Sequence, residues 1–250
     1  MTEARQLRPP RTRGPGPGSG PQQALGLRLR GDDAIVSEAD ARRKVVAVYR
    51  ELAGRGLNAG SSGNVSHRIR KGMIITPSGC SADTLRSDGL VAMTLAGDAK
   101  GAAAPSSEWA MHTAIYLAYP SAQCVVHTHA DACTALACLN EALPPFHYMV
   151  ANFGGDDVRC APYVTFGTPE LARLAVAALA GRTACLLANH GMIVHAPNAD
   201  RALAAAIVLE TLCRQYLLAR SAGTVRLLQA DEMRAAHERY RTYGQAGARA

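Results

Sequence analysis

The chain has 250 residues, 48% of them hydrophobic and 19% charged. That balance suits one globular domain with a substantial core and excludes a fibrous or wholly disordered protein. The formal net charge is +7, but Arg5, Arg8, Arg11, Arg13, Arg28 and Arg30 against Glu3 put +5 of it in residues 1–30. The remaining body, at about +2, gives no basis for a nucleic-acid-binding domain.

Residues 1–33 read as a basic, disordered Pro/Gly/Arg-rich tail, because a run such as Gly14-Pro15-Gly16-Pro17-Gly18 cannot bury apolar surface. Residues 34–250 read as the folded domain. The tail lacks the apolar stretch of a secretory signal, its Pro/Gly density argues against a transit helix, and no apolar run elsewhere reads as a membrane span. Seven cysteines without a CxxC pair read as buried, reduced thiols. The expected location is the cytoplasm, with no membrane partner.

In chain order, Ser37-Glu38-Ala39-Asp40 resembles a capping box with Asp in the place of the usual Glu or Gln. The helix it opens carries Val45, Val48, Tyr49 and Leu52 at helical spacing and is ended by Gly54 and Gly56. Three short β-rich pieces follow, at 64–66, 73–76 and 90–93, separated by Gly/Ser/Asp turns. A helix spans about 107–119 and stops at Pro120. A strand at 124–128 leads into a helix at about 131–140, and a strand is expected near Tyr163-Val164. Thr168-Pro169-Glu170 places a capping hydroxyl before a proline at the first helical position, opening a helix to about Ala180. A strand at 184–189 precedes a long Ala-rich helix at about 199–220, and a last helix starts near Asp231. Short strands mixed with helices imply an α/β fold, a three-layer α/β/α domain with a mixed central sheet.

Within this frame, His127 and His129 end an apolar strand two residues apart, so their side chains share one face. His190 closes a second strand-like run. If the fold aligns the two strand ends, three imidazoles with an open position make the layout of a catalytic metal. Spacing alone leaves packed histidines as the alternative, which is the reading for His67, His112, His195 and His237. Glu108, at the start of its helix, is a candidate base beside the metal or an ordinary carboxylate at a helix N-terminus. Three segments could receive an anion: Gly60-Ser61-Ser62-Gly63-Asn64, Thr76-Pro77-Ser78-Gly79 and Ser106-Ser107. In each, glycine lets backbone N–H groups approach closely or a helix start offers free N–H groups.

Taken together, these stretches resemble the class II aldolase/adducin family, most closely its bacterial L-fuculose-phosphate aldolase branch. The resemblance also covers His147-Tyr148-Met149, Cys160-Ala161-Pro162-Tyr163, Thr165-Phe166-Gly167-Thr168, Asn189-His190-Gly191 and Thr242-Tyr243-Gly244, and it runs from about Ser37 to Tyr243. It implies one Zn2+ per subunit held by His127, His129, His190 and Glu108, with Glu108 as proton shuttle. A sugar phosphate would be held at Ser61, Gly63, Asn64, Ser78, Gly79, Ser106 and Ser107. It also implies a C4 homotetramer in which Tyr148 and Tyr243 reach a neighbouring subunit's site. The implied reaction cleaves a ketose 1-phosphate, L-fuculose 1-phosphate or a deoxy- or methylthio-pentulose phosphate, to dihydroxyacetone phosphate and an aldehyde. Ala188-Asn189 before His190 and Asp131 after the His pair leave the aldehyde half open. Sugar-phosphate 4-epimerases, dehydratases and decarboxylases use the same scaffold. An adducin-like interaction module lacks the metal, so the intact histidines argue against it.

Overall fold

Alternate residues of the buried strands carry apolar side chains to opposite faces of one sheet, and helices cover both. The computed structural model describes residues 36–242; the expected tail at 1–33 and Tyr243 lie outside them. Eight strands form the sheet: β1 (Asn64–Ile69), β2 (Gly72–Ile75), β3 (Val91–Met93), β4 (Ala99–Lys100), β5 (Cys124–Thr128), β6 (Cys160–Ala161), β7 (Ala184–Leu187) and β8 (Gly191–Ala196). Their order is β4-β3-β2-β1-β5-β8-β7-β6. Every pair is antiparallel except β6 with β7, so the sheet is mixed.

The period of two is visible in single strands. Val126 of β5, Ile74 of β2 and Leu186 of β7 face α1 (Glu38–Gly54), α3 (Asp131–Cys138) and α5 (Ala199–Ala222). Val125, Met73, Ile75, Cys185 and Leu187 face α2 (Trp109–Ala118) and α4 (Pro169–Ala178). Helix α6 (Ala230–Thr242) packs beside a 3-10 helix at Tyr148–Phe153. The three-layer α/β/α architecture with a mixed central sheet is thus the observed one.

The caps behave as the sequence implies. The Ser37 hydroxyl accepts the Asp40 N–H, and Thr168 Oγ1 accepts the Leu171 N–H with Pro169 at the first position of α4.

Four expectations need correction. Tyr163 and Val164 lie in a loop, and the strand there is Cys160–Ala161, two residues that pair with Leu186 and Leu187. The strand at 184–189 stops at Leu187, because Asn189 takes φ 53 and turns the chain into β8, which the sequence reading omits. Helix α5 has the length and apolarity of a membrane span, yet Ala202, Ala206, Leu209 and Leu212 are buried in the core beside the sheet. Of the seven thiols, Cys124, Cys133, Cys185 and Cys213 are buried, Cys80 and Cys160 are partly covered, and Cys138 is exposed.

Candidate metal centre

The antiparallel pairing of β5 with β8 is what brings the three histidines together. His127 lies opposite Ile193 and Thr128 opposite Met192. Continuing that ladder sets His129 beside Gly191, at the end of the turn that holds His190. Glycine is required at 191, because a Cβ there would meet the Thr128 carbonyl oxygen at 2.4 Å. On its other side β5 pairs with β1, where Asn64 is the direct partner of His127. Glu108, the N-cap residue of α2, lies over this corner of the sheet.

The resulting cluster is Glu108, His127, His129 and His190, with one donor atom from each lying within 4.8 Å of all the others. His127 Nε2 is 3.0 Å from His129 Nε2 and 3.0 Å from Glu108 Oε2. His190 Nε2 is 3.3 Å from Glu108 Oε1, a buried oxygen that accepts no hydrogen bond. With metal–nitrogen bonds of about 2.0–2.1 Å, the edges of a tetrahedral site are about 3.3 Å, so these separations fit a tetrahedral cation. His127 Nδ1 donates to the Met192 carbonyl at 2.9 Å, which leaves the Nε2 lone pair facing the cluster.

Electrostatics point the same way. Burial, with His127 close by, pushes His129 and His190 down to about 4, so both are neutral at ordinary pH and each keeps a lone pair free. For His127, burial acts downward, but the adjacent Glu108 carboxylate overrides it and the net shift is upward. For Glu108, burial acts upward, but His127, then His190 and the Asn64 amide, hold the carboxyl well below its usual range. An anionic carboxylate facing three convergent imidazoles is a site for a divalent cation.

Above this floor opens a cavity of about 320 Å³. The candidate anion-binding residues Ser61, Gly63, Asn64, Ser78, Gly79, Ser106 and Ser107 all line it, together with Glu108, His129 and His190. Gly63 and Gly79 take φ 74 and 70, a left-handed backbone open to glycine. Ser106 Oγ accepts the Glu108 N–H at 3.3 Å, while Ser107 is exposed. The Asn64 side chain is turned inward: its Nδ2 donates to Glu108 Oε2 at 2.9 Å and its Oδ1 meets His112 Nε2 at 2.5 Å. Tyr163, Val164, Phe166 and Asn189 form the rim, where Tyr163 and Phe166 are 60% and 63% exposed. Sequence reasoning missed this rim except as part of a matching stretch.

Tyr148 stands apart from the cavity. It starts the 3-10 helix, is 53% exposed, and stacks on His147 and Tyr240 at 4.6 and 6.2 Å. His67, His195 and His237 hold the packed or surface places expected of them. His112 does not merely pack. Buried completely, and held down to about 3 by that burial and then by His127, it is neutral and bonded to Asn64. Helix α3 starts directly after the His pair and is anchored there by Glu210 of α5, whose two carboxylate oxygens accept the Ala132 and Cys133 N–H groups at 2.9 Å each.

Comparison with known proteins places the chain. The profile of the Class II Aldolase and Adducin N-terminal domain matches residues 43–217. The 5-methylthioribulose-1-phosphate/5-deoxyribulose-1-phosphate aldolase of Rhodospirillum rubrum is 44% identical over 203 residues, covering 81% of this chain and 92% of that one. The L-fuculose phosphate aldolase of Escherichia coli is 40% identical over 203 residues, covering 81% and 94%. Among solved structures, an L-fuculose 1-phosphate aldolase superposes with a TM-score of 0.78 at 36% identity, covering 84% of this chain and 99% of that one.

Proposed function

Since the chain belongs to the class II aldolase and adducin family, we propose that it is a zinc-dependent aldolase. It cleaves a ketose 1-phosphate with an apolar terminal carbon, of the fuculose, 5-deoxyribulose or 5-methylthioribulose kind, to dihydroxyacetone phosphate and an aldehyde. One observation carries the reading: three imidazole Nε2 atoms and a carboxylate converge on the floor of a cavity whose wall is serine and glycine.

His127, His129 and His190 would hold the zinc through Nε2, with Glu108 as a further donor. When bound, the ion would supply Lewis-acid stabilisation of the negative charge that cleavage develops. Ser61, Gly63, Ser78, Gly79, Ser106 and Ser107 bind the phosphate, and Asn64 joins this wall. Their hold on the non-reacting end positions the bond to be cleaved. Glu108, protonated from solvent, would deliver the proton that the carbon freed by cleavage takes up, and would remove it in the condensation direction. The C4 hydroxyl must lose its proton as the aldehyde forms. That proton would pass through the hydroxyl of a tyrosine contributed by a neighbouring subunit, which releases its own proton to solvent as it accepts, Tyr243 by preference over Tyr148, in a homotetramer of four-fold symmetry. The exposure of Tyr148 beside Tyr240 supports such an interface.

The test is zinc-loaded protein assayed on a panel of ketose 1-phosphates, with dihydroxyacetone phosphate measured by coupled reduction. Release from at least one deoxy or methylthio substrate is expected. No release from any member would overturn the aldolase reading in favour of an epimerase or decarboxylase on the same scaffold.

A further inference from the structure

A ladder of polar side chains runs from Glu108 into the protein between β1 and α2. Asn64, Ser66 and Arg68 sit two apart on β1, so they share the face that α2 covers. Glu108, His112 and Tyr116 sit four apart and form one stripe of the helix. The two rows interlock. Asn64 bridges Glu108 Oε2 (2.9 Å) and His112 Nε2 (2.5 Å). Ser66 Oγ bridges His112 Nδ1 (2.7 Å) and the Tyr116 hydroxyl (2.9 Å). Arg68 closes the row by donating to the Tyr116 carbonyl, with its guanidinium over the Tyr116 ring at 4.7 Å.

One end of this ladder determines the direction of every bond in it. An ionised carboxylate only accepts, so Asn64 must present its NH2 to Glu108 and therefore its carbonyl to His112. That carbonyl needs a donor, so the neutral imidazole carries its proton on Nε2. Its Nδ1 must then accept the Ser66 hydroxyl proton, and Ser66 Oγ in turn accepts from Tyr116. No member has a second arrangement that satisfies both of its neighbours.

We infer that His112 is a positioning residue: through its Nε2–H it locks the Asn64 amide in the one orientation that donates to Glu108. His112 does not reach the cavity, where it lines no wall, and it acts on the carboxylate only through Asn64. Without it nothing holds the amide carbonyl, so the Asn64 side chain can swing away and leave Glu108 Oε2 without its donor. The inference rests on the proposed roles of Glu108 as zinc ligand and proton carrier, and it adds what holds that group ready.

Zinc affinity by chelator competition, together with kcat and KM, tests it in His112→Leu, Asn64→Ala and the double variant. His112→Leu should weaken zinc binding and kcat by about tenfold to a hundredfold, the range seen when a partner behind a metal ligand is lost, with KM changed by less than about twofold. Because the residue acts through Asn64, the second substitution should add almost nothing in the Asn64→Ala background. His112→Gln offers a donor and an acceptor again and should recover most of the loss. If His112→Leu does not fold, Ser66→Ala takes its place, with a partial loss that Asn64→Ala likewise absorbs. Full additivity with Asn64→Ala, or unchanged zinc affinity and kcat, overturns the inference. Failure of the Glu108 reading would show separately, as Glu108→Gln at full turnover, while the zinc-affinity coupling between His112 and Asn64 still decides the relay.

Discussion

The floor of the cavity and its rim are built by opposite means. On the floor, His127 is wholly buried in a strand paired on both sides, its Nδ1 is bonded to the Met192 carbonyl, and Glu108 is held through Asn64. At the rim, Tyr163 and Phe166 stand out of a loop more than half exposed. A metal site tolerates small errors in ligand placement poorly, and here one candidate donor lies in a paired strand, two directly at strand ends and one at a helix start. The two parts of the cavity are thus held to different tolerances, the buried cluster beside paired strands and the aromatic rim on a loop.

Substitutions can break this contrast at either end. His129→Ala removes one of three nitrogen donors, and zinc content by elemental analysis should fall from stoichiometric to near zero; metal retained at full occupancy would remove His129 from the ligand set. Next in size, Glu108→Gln keeps the shape but loses the charge and the proton carrier. It should still load zinc at saturating metal, with weakened affinity, while kcat falls by about 10²- to 10⁴-fold, the range for a lost acid–base group.

Acidification probes the rigidity of the interior by a different route. Buried His195, stacked on Tyr119 at 4.6 Å and remote from the cavity, is pushed down to about 4 by burial. The unfolded chain protonates this group near 6.5 and the folded one does not, so its stabilisation is complete above pH 6.5. It is lost progressively as pH falls toward 4. The melting temperature should drop across that window, and His195→Phe should flatten the slope by about one proton's worth; an unchanged slope would contradict the assignment. The smallest effect belongs to the rim. Phe166→Ala should raise KM for the ketose phosphate by about threefold to tenfold, the range for an apolar contact of about 0.65–1.4 kcal/mol. It should leave zinc content untouched.

What the sequence disclosed follows the same division. Short-range signals survived folding: the Ser37 and Thr168 caps, and the two-residue spacing of His127 and His129. Long-range pairing was hidden. Nothing in 184–196 marks where β7 ends and β8 begins, because the left-handed turn residue is Asn189 and apolar residues lie on both sides of the turn. The strand expected at Tyr163-Val164 was displaced because aromatic and β-branched residues carry strand propensity into exposed loops as well. In the sequence His112 reads as a packing residue because its partners lie 46 and 48 positions away, and its four-residue spacing from Glu108 is the one local signal of its place.

The ladder between β1 and α2 also has a natural length. Two residues of a strand advance about 6.6–6.8 Å and four residues of a helix about 6.0 Å, so the two rows behave like rulers with unequal graduations. Each step from rung to rung slips by roughly 0.7 Å, and over the two steps that separate three rungs the offset reaches about 1.4 Å, half a hydrogen bond. A relay of this kind cannot be lengthened by repeating its motif. It must end near its third rung, and here the flexible arm of Arg68, which tolerates the slip, supplies the ending.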